Sequence, residues 1–189
     1  MNRGRGHREP AAWVVRFAPL VPEGAAVLDL ACGAGRHARL FLERGHPVSA
    51  VDIDVGGLDD LRQHSQLEIV QADLENAPWP LPGRRFGAVV VTNYLWRPLF
   101  GPMLEAIEEG GVLLYDTFAL GNEVYSRPTN PDFLLQPGEL IEVVRGRLQI
   151  VAYEHGYVDC PRPGVKQRLC AARTDRPLPL WPTSSGGRR

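Results

Sequence analysis

The chain predicts an α/β fold, a doubly wound and mostly parallel sheet with an antiparallel pair at its C-terminal end. Three observations carry this. Short apolar runs of strand length alternate with stretches of helical period from Val27 to Phe118. The first run, 27–30, passes through the tight turn Cys32-Gly-Ala-Gly35 directly into a helical stretch. The last two runs, 148–157 and 165–173, are separated only by Asp159-Cys-Pro-Arg-Pro-Gly164, a connection short enough for antiparallel neighbours.

Each element follows from its residues. Residues 9–20 carry Trp13, Val14, Phe17 and Leu20 at helical spacing, a short amphipathic helix capping the sheet. Pro22-Glu-Gly24 turns the chain into the first strand, which is apolar except for Asp29. The helix after the glycine turn presents Ala38, Leu40, Phe41 and Leu42 and stops at Gly45. A β-branched second strand spans 47–53 and contains Asp52. Residues 57–64 are helical with Leu58 and Leu61 inward, and a third strand, 67–73, ends in Asp73. Prolines 78, 80 and 82 make 75–85 a loop, packed through Trp79 and Leu81. Residues 86–93 are the most continuous apolar run, hence a central strand covered on both faces. A helix is expected over 99–109, stopped by Gly110-Gly111, and a fifth strand over 112–118. Residues 119–136 are polar and proline-punctuated, too long for a simple connector. Residues 137–146 form a helix with proline at its start and glycine at its end.

At 189 residues the chain has room for one substantial core. A formal net charge of −1 advertises neither nucleic acid nor an acidic membrane surface. Cys32, Cys160 and Cys170 are odd in number and widely spaced, with neither a disulfide framework nor a zinc spacing, which fits reduced thiols in the cytoplasm. No apolar run approaches the roughly 18 residues of a membrane span. The basic start 1–8 has no apolar segment behind it and reads as a flexible arm; 9–175 reads as a single domain and 176–189 as a flexible tail.

Ligands of doubly wound sheets bind beyond the carboxyl ends of the strands, where strand order reverses. Asp29 with its glycine turn, Asp52, Asp73 and Asn93 all fall at or near such ends. Gly33-x-Gly35-x-x-Ala38 formally fits a dinucleotide fingerprint, so an NAD-dependent oxidoreductase is one reading. A carboxylate at Asp29 argues against a pyrophosphate and for a ligand carrying an ammonium, which points to S-adenosyl-L-methionine (SAM).

Val27-Leu-Asp-Leu-Ala-Cys-Gly-Ala-Gly35, Val51-Asp-Ile53, Gln71-Ala-Asp-Leu74 and Val91-Thr-Asn93 resemble, in order, the motif series of class I SAM-dependent methyltransferases, a likeness covering residues 10–173. Phe133-Leu-Leu-x-Pro-Gly-Glu-Leu140, Ala152-Tyr-Glu154 and Val165-Lys-x-Arg168 are similar to the small tellurite-resistance-type (TehB-like) branch. The resemblance implies a Rossmann-like seven-stranded sheet with a C-terminal antiparallel hairpin. It also implies a SAM-dependent methyltransferase domain over 9–175, with S-adenosyl-L-homocysteine as cofactor product and no metal.

It implies roles as well. Gly33 and Gly35 admit the methionine part of SAM, with the Ala31 carbonyl nearby. Asp29 favours its ammonium, directly or through water, and Arg16 or Arg36 meets its carboxylate. Asp52 accepts both ribose hydroxyls, Ile53 covers one adenine face, Asp73 accepts from the adenine amino group, and the Leu74 N–H donates to a ring nitrogen. Asn93 offers its carbonyl below the sulfonium. Tyr94 and Tyr125, with Trp96 and Phe118, are candidate aromatic walls for the methyl group, and Arg168 matches the branch's strand arginine. The acceptor pocket is expected from 119–136 and the last strands, with Asp116, Arg127, Glu154, His155 and Arg162 as further polar candidates. The branch's loop histidine has no counterpart here. The implied function is methyl transfer to a small molecule, with thiol, oxyanion or chalcogen, hydroxyl and amine acceptors all open. An NAD-dependent oxidoreductase and a non-catalytic SAM-binding module are the alternatives. Nucleic-acid and membrane partners are not expected, and the protein is read as a cytoplasmic monomer or homodimer.

Overall fold

The computed structural model describes residues 9–178, so the expected arm 1–8 and the tail beyond residue 178 lie outside the described residues. Strands β1 (Val27–Leu30), β2 (Val48–Asp52), β3 (Leu67–Gln71), β4 (Phe86–Thr92), β5 (Ile107–Phe118), β6 (Gln149–Val158) and β7 (Gly164–Ala172) share one sheet in the order β3-β2-β1-β4-β5-β7-β6. The first five pair in parallel; β7 runs antiparallel between β5 and β6. The chain winds outward from β1 to β3, then returns to lay β4 on the other side of β1. That reversal leaves a crevice above the carboxyl ends of β1 and β4.

Helices α1 (Ala12–Phe17), α2 (Arg36–Glu43), α3 (Phe100–Glu105) and α4 (Glu139–Val144) cover the sheet. One face packs Trp13, Phe17, Phe41 and Leu58 against Val27, Val90, Leu114 and Cys170. The other packs Met103, Leu104, Leu140 and Val144 against Leu28, Val89, Leu113 and Leu169. Neighbouring residues of a strand serve opposite faces, so the central strands need apolar side chains at nearly every position.

The helix expected over 99–109 is corrected. It ends at Glu105, and β5 begins at Ile107. Arg173 decides this by tertiary hydrogen bonding. Its Nε donates to the Ile107 carbonyl at 2.9 Å and its Nη2 to the Leu104 carbonyl at 2.7 Å. Gly110 N–H donates to the Arg173 carbonyl and Arg173 N–H to that of Gly111, at 2.7 and 2.8 Å. Residues 107–111 thus enter the sheet through a bulge, and Gly110, at φ 80, serves that bulge. Two lesser expectations also shift: 57–64 is a 3-10 turn at Gly56–Leu61, and β3 ends at Gln71, leaving Asp73 in the turn after it.

The irregular segment 119–136 is held at both ends. The buried Asn122 amide donates to the Ser126 and Pro128 carbonyls at 3.0 and 3.1 Å, and its oxygen accepts the Val165 N–H at 3.3 Å. Arg97 clamps the far end through Glu139 and the carbonyls of Asp132 and Leu134.

Candidate active site

The turn after β1 is built from left-handed backbone, with Ala31 at φ 54, Gly33 at φ 54 and Gly35 at φ 72. A Cβ on Gly35 would lie 2.1 Å from Leu58 Cδ2, so this position must be glycine for space as well as conformation. At Gly33 a Cβ would meet nothing within 4 Å, so the backbone there is open to an approaching molecule. The Gly33 N–H donates to Asp52 Oδ2 at 2.7 Å, and Asp52 Oδ1 accepts the Asp54 N–H at 3.0 Å. One carboxylate therefore ties the turn to the end of β2, and each oxygen keeps a second acceptor site. Beside it the Ile53 side chain stands 60% exposed. A hollow of about 340 Å³ opens here, with Ala31, Asp52, Ile53, Asp73, Leu74 and Tyr94 in its walls. Ala31 and Asn93 (φ 53) are the two non-glycine residues with positive φ among those described, and they follow β1 and β4, the strands flanking the reversal. Strained backbone of this kind clusters at ligand-binding crevices.

Asp29 is placed differently from the expectation. Its carboxylate is 1% exposed and its Oδ2 accepts the Ala38 N–H at 2.9 Å, satisfying an early amide of α2 that no N-cap side chain reaches. His37 lies beside it, Nδ1 3.9 Å from Asp29 Oδ1, while His37 Nε2 accepts the Ala11 N–H at 3.1 Å. The imidazole is therefore neutral with its proton on Nδ1. Burial pushes Asp29 up to about 7, the Ala38 bond opposing it, and pushes His37 down to about 3. Asp29 supports the turn from beneath. Buried and bonded to α2, its carboxylate does not stand open to a direct contact with an ammonium.

Asp73 is likewise engaged: Oδ1 accepts the N–H groups of Glu75 and Asn76 at 2.9 and 3.0 Å, and Oδ2 accepts the Asn76 amide at 3.0 Å. These bonds, the Asn76 side chain first, hold it below the usual carboxyl range. It shapes the turn that carries Leu74, which is buried in the hollow's wall.

At the end of β4, Asn93 N–H donates to the Asp116 carbonyl at 2.8 Å, and Asn93 Oδ1 accepts Lys166 Nζ at 2.8 Å. Lys166 also donates to Asp116 Oδ1 at 2.7 Å and lies 4.8 Å from the centre of the Phe118 ring. Arg168 reaches Asp116 Oδ2 at 3.5 Å and Glu154 Oε2 at 3.2 Å. In the sequence Lys166 stands out only as part of a motif. The available signal was its spacing of two from Arg168, which puts both on one face of a strand ending beside the crevice. Of the two arginines proposed for a carboxylate, Arg36 stands at the turn, its Nη2 on Thr92 Oγ1 at 3.2 Å. Arg16 instead pairs with Glu154 at 3.3 Å and covers Trp13 and Phe17.

Tyr94 belongs to the larger hollow. Burial, then the carboxylates of Glu75, Asp73 and Asp52, push its phenol well above the ordinary range, so it acts as a neutral group and not as a base. Its backbone is fixed by Tyr115 Oη, which donates to the Tyr94 carbonyl at 3.0 Å. Tyr125 is not brought to either hollow's wall: 49% exposed, it stacks on Tyr157 with ring centroids 4.9 Å apart. A second, smaller hollow of about 150 Å³ lies on the β6–β7 hairpin, with Glu154, His155, Gly156, Tyr157, Val158, Lys166 and Arg168 around it.

Residues 27–111, the span from β1 through the first part of β5, match the family described as methyltransferase domain. Over 103 residues, 52% of the chain, it is 32% identical to malonyl-[acyl-carrier protein] O-methyltransferase of Serratia marcescens, and it spans 40% of that relative's length. TehB from Haemophilus influenzae superposes with a TM-score of 0.68 at 19% identity, covering 87% of this chain and 62% of TehB. A Burkholderia thailandensis 1,6-didemethyltoxoflavin-N1-methyltransferase, solved with its substrate and S-adenosylhomocysteine, gives 0.65 at 22% identity, covering 90% and 80% of the two chains. The two solved structures show that the chain has the seven-stranded class I methyltransferase fold, hairpin included. Among the described residues no helix is long and apolar enough to cross a membrane, and no three His, Cys, Asp or Glu side chains stand together as a metal site.

Proposed function

We propose that the chain is a SAM-dependent methyltransferase acting on a small-molecule acceptor, with residues 9–175 as its domain. The observation that carries this is Asp52, ligated by the Gly33 N–H at 2.7 Å, with exposed Ile53 beside it at the strand end. This pairs a two-oxygen acceptor for a ribose diol with an apolar cover for a purine, next to open backbone at Gly33. The hollow's volume of about 340 Å³ falls in the range of small-ligand sites. When bound, the cofactor supplies a methyl group on a positively charged sulfur. The chain supplies the rest: Asp52 holds the ribose, Ile53 and Leu74 enclose the adenine, and Arg36 meets the carboxylate. The Ala31 and Asn93 carbonyls face the methionine part. Orienting two reactants in this way is worth about 7–11 kcal/mol of barrier. The unpaired cysteines, two of them buried, fit a cytoplasmic setting.

Calorimetry with SAM, S-adenosylhomocysteine and NADH tests the reading. Both sulfur ligands should bind and NADH should not. Asp52→Ala should weaken SAM binding by a hundredfold or more, since hydrogen bonds to a charged group contribute about 1.5–3 kcal/mol each. Unchanged affinity removes the ribose assignment, and NADH binding alone removes the methyltransferase reading.

A further inference from the structure

Asn93 is where the sheet opens onto the crevice. It follows β4 in left-handed backbone at φ 53, on the exposed rim. Its N–H still donates to the Asp116 carbonyl at 2.8 Å, in line with the pairing of Thr92 and Asp116. Its own carbonyl has left that ladder: among the described residues no group donates to it. Asparagine visits left-handed backbone more readily than most residues, but only surrounding structure makes it the single conformation.

That support comes from one ammonium. Lys166 Nζ donates to Asn93 Oδ1 at 2.8 Å, the one hydrogen bond that the Asn93 side chain makes among the described residues. The same Nζ donates to Asp116 Oδ1 at 2.7 Å and stands 4.8 Å from the centre of the ring of Phe118, its cross-strand partner. A lysine head normally roams on a flexible four-carbon stem. Here the lysine side chain is 14% exposed and that of Asp116 is 4% exposed, so two contacts with β5 pin the ammonium and Asn93 is gripped from a fixed point. Neutralising Asp116 does not require the third contact, because Arg168 also reaches that carboxylate, at 3.5 Å. Asp116 and Lys166 both lie beyond residues 27–111, so the grip comes from outside the span that matches the family.

We infer that Lys166 is a positioning residue for the methyl donor: it holds Asn93 in left-handed backbone and so keeps the Asn93 carbonyl aimed at the sulfonium of SAM. The inference rests on the methyltransferase reading above, in which that carbonyl faces the methionine part. Lys166 touches neither reactant and moves no proton. A carbonyl oxygen is the negative end of a dipole, so its position matters most to a positively charged sulfur. SAM carries that charge and S-adenosylhomocysteine does not. Fixing the carbonyl therefore favours the donor over its product, and releasing it narrows the difference.

The test is calorimetry on the full chain with SAM and with S-adenosylhomocysteine. Lys166→Met combined with Asp116→Asn removes the ion pair and leaves the net charge at the crevice unchanged. This pair should weaken SAM about tenfold or more, and S-adenosylhomocysteine by no more than about threefold. A general loosening of the fold would weaken both alike. Asn93→Gly, on the exposed rim, deletes the oxygen that Lys166 holds and should show the same selective loss by itself. All three substitutions together should cost no more than the pair, because both changes act through one contact. Circular dichroism checks each fold; if the paired variant does not fold, Asn93→Gly decides, and an unchanged SAM preference there overturns the inference. Equal losses for the two ligands, no loss for SAM, or losses that multiply in the triple variant would overturn it as well. If the unaltered chain binds neither ligand, the methyltransferase reading falls. If it binds both and no variant loses SAM selectively, the positioning role alone falls.

Discussion

Asp29 and His37 exchange a proton when the chain folds. Unfolded, their ordinary values of 3.8 and 6.5 put a single proton on His37 between about pH 4 and 6.5; folded, with values of about 7 and about 3, the pair carries that proton on Asp29. The proton count is the same in both states, so the two linkage slopes cancel in that window. Removing one partner exposes the other. In Asp29→Asn the depressed histidine remains, and stability should fall as pH drops from about 6.5 toward 3. In His37→Asn the raised carboxyl remains, and stability should fall as pH rises from about 4 through 7. Urea midpoints at several pH values would show opposite slopes, and parallel profiles would refute the pairing. At this scale the sequence was informative for Asp52 and Ile53, because residues at the end of a strand emerge from the sheet into the open. It was silent on the burial of Asp29, which depends on where α2 lands. Lys166 was silent because its partners, Asn93 and Asp116, lie on two other strands.

Among the elements, the strand–turn–helix of β1 and α2 was legible because its signals are local: an apolar run, a glycine turn, a helical period. The α3–β5 junction was not, since the residues that end the helix arrive from β7. Arg173 is the measure of this. Arg173→Met removes the side-chain donor of the Leu104 and Ile107 carbonyls, which should cost about 2–6 kcal/mol at 1–3 kcal/mol for each unsatisfied group. Chemical denaturation checks it, and a loss under 0.5 kcal/mol, the scale of a surface change, would mean that the bulge is held by backbone pairing alone.

For the whole molecule, the sequence order of motifs suffices to predict a doubly wound sheet, because each strand–helix unit winds the same way and the reversal falls where the pattern restarts at β4. Binding at that reversal should stabilise the folded state as a unit. S-adenosylhomocysteine at a hundred times its Kd should add about 2.7 kcal/mol, or roughly 5–11 °C in Tm for a domain of this size. A thermal scan with no shift at that concentration would mean that the ligand does not prefer the folded state. The hydrogen bond from Lys166 to Asn93 has a consequence at this scale too. It joins a residue of the smaller hollow's wall to Asn93, the neighbour of Tyr94 in the larger one's wall, so a ligand that draws Lys166 away at one site alters the other. Whatever factor a filled smaller hollow contributes to affinity at the larger one, a filled larger hollow returns, because the cycle of four binding states must close.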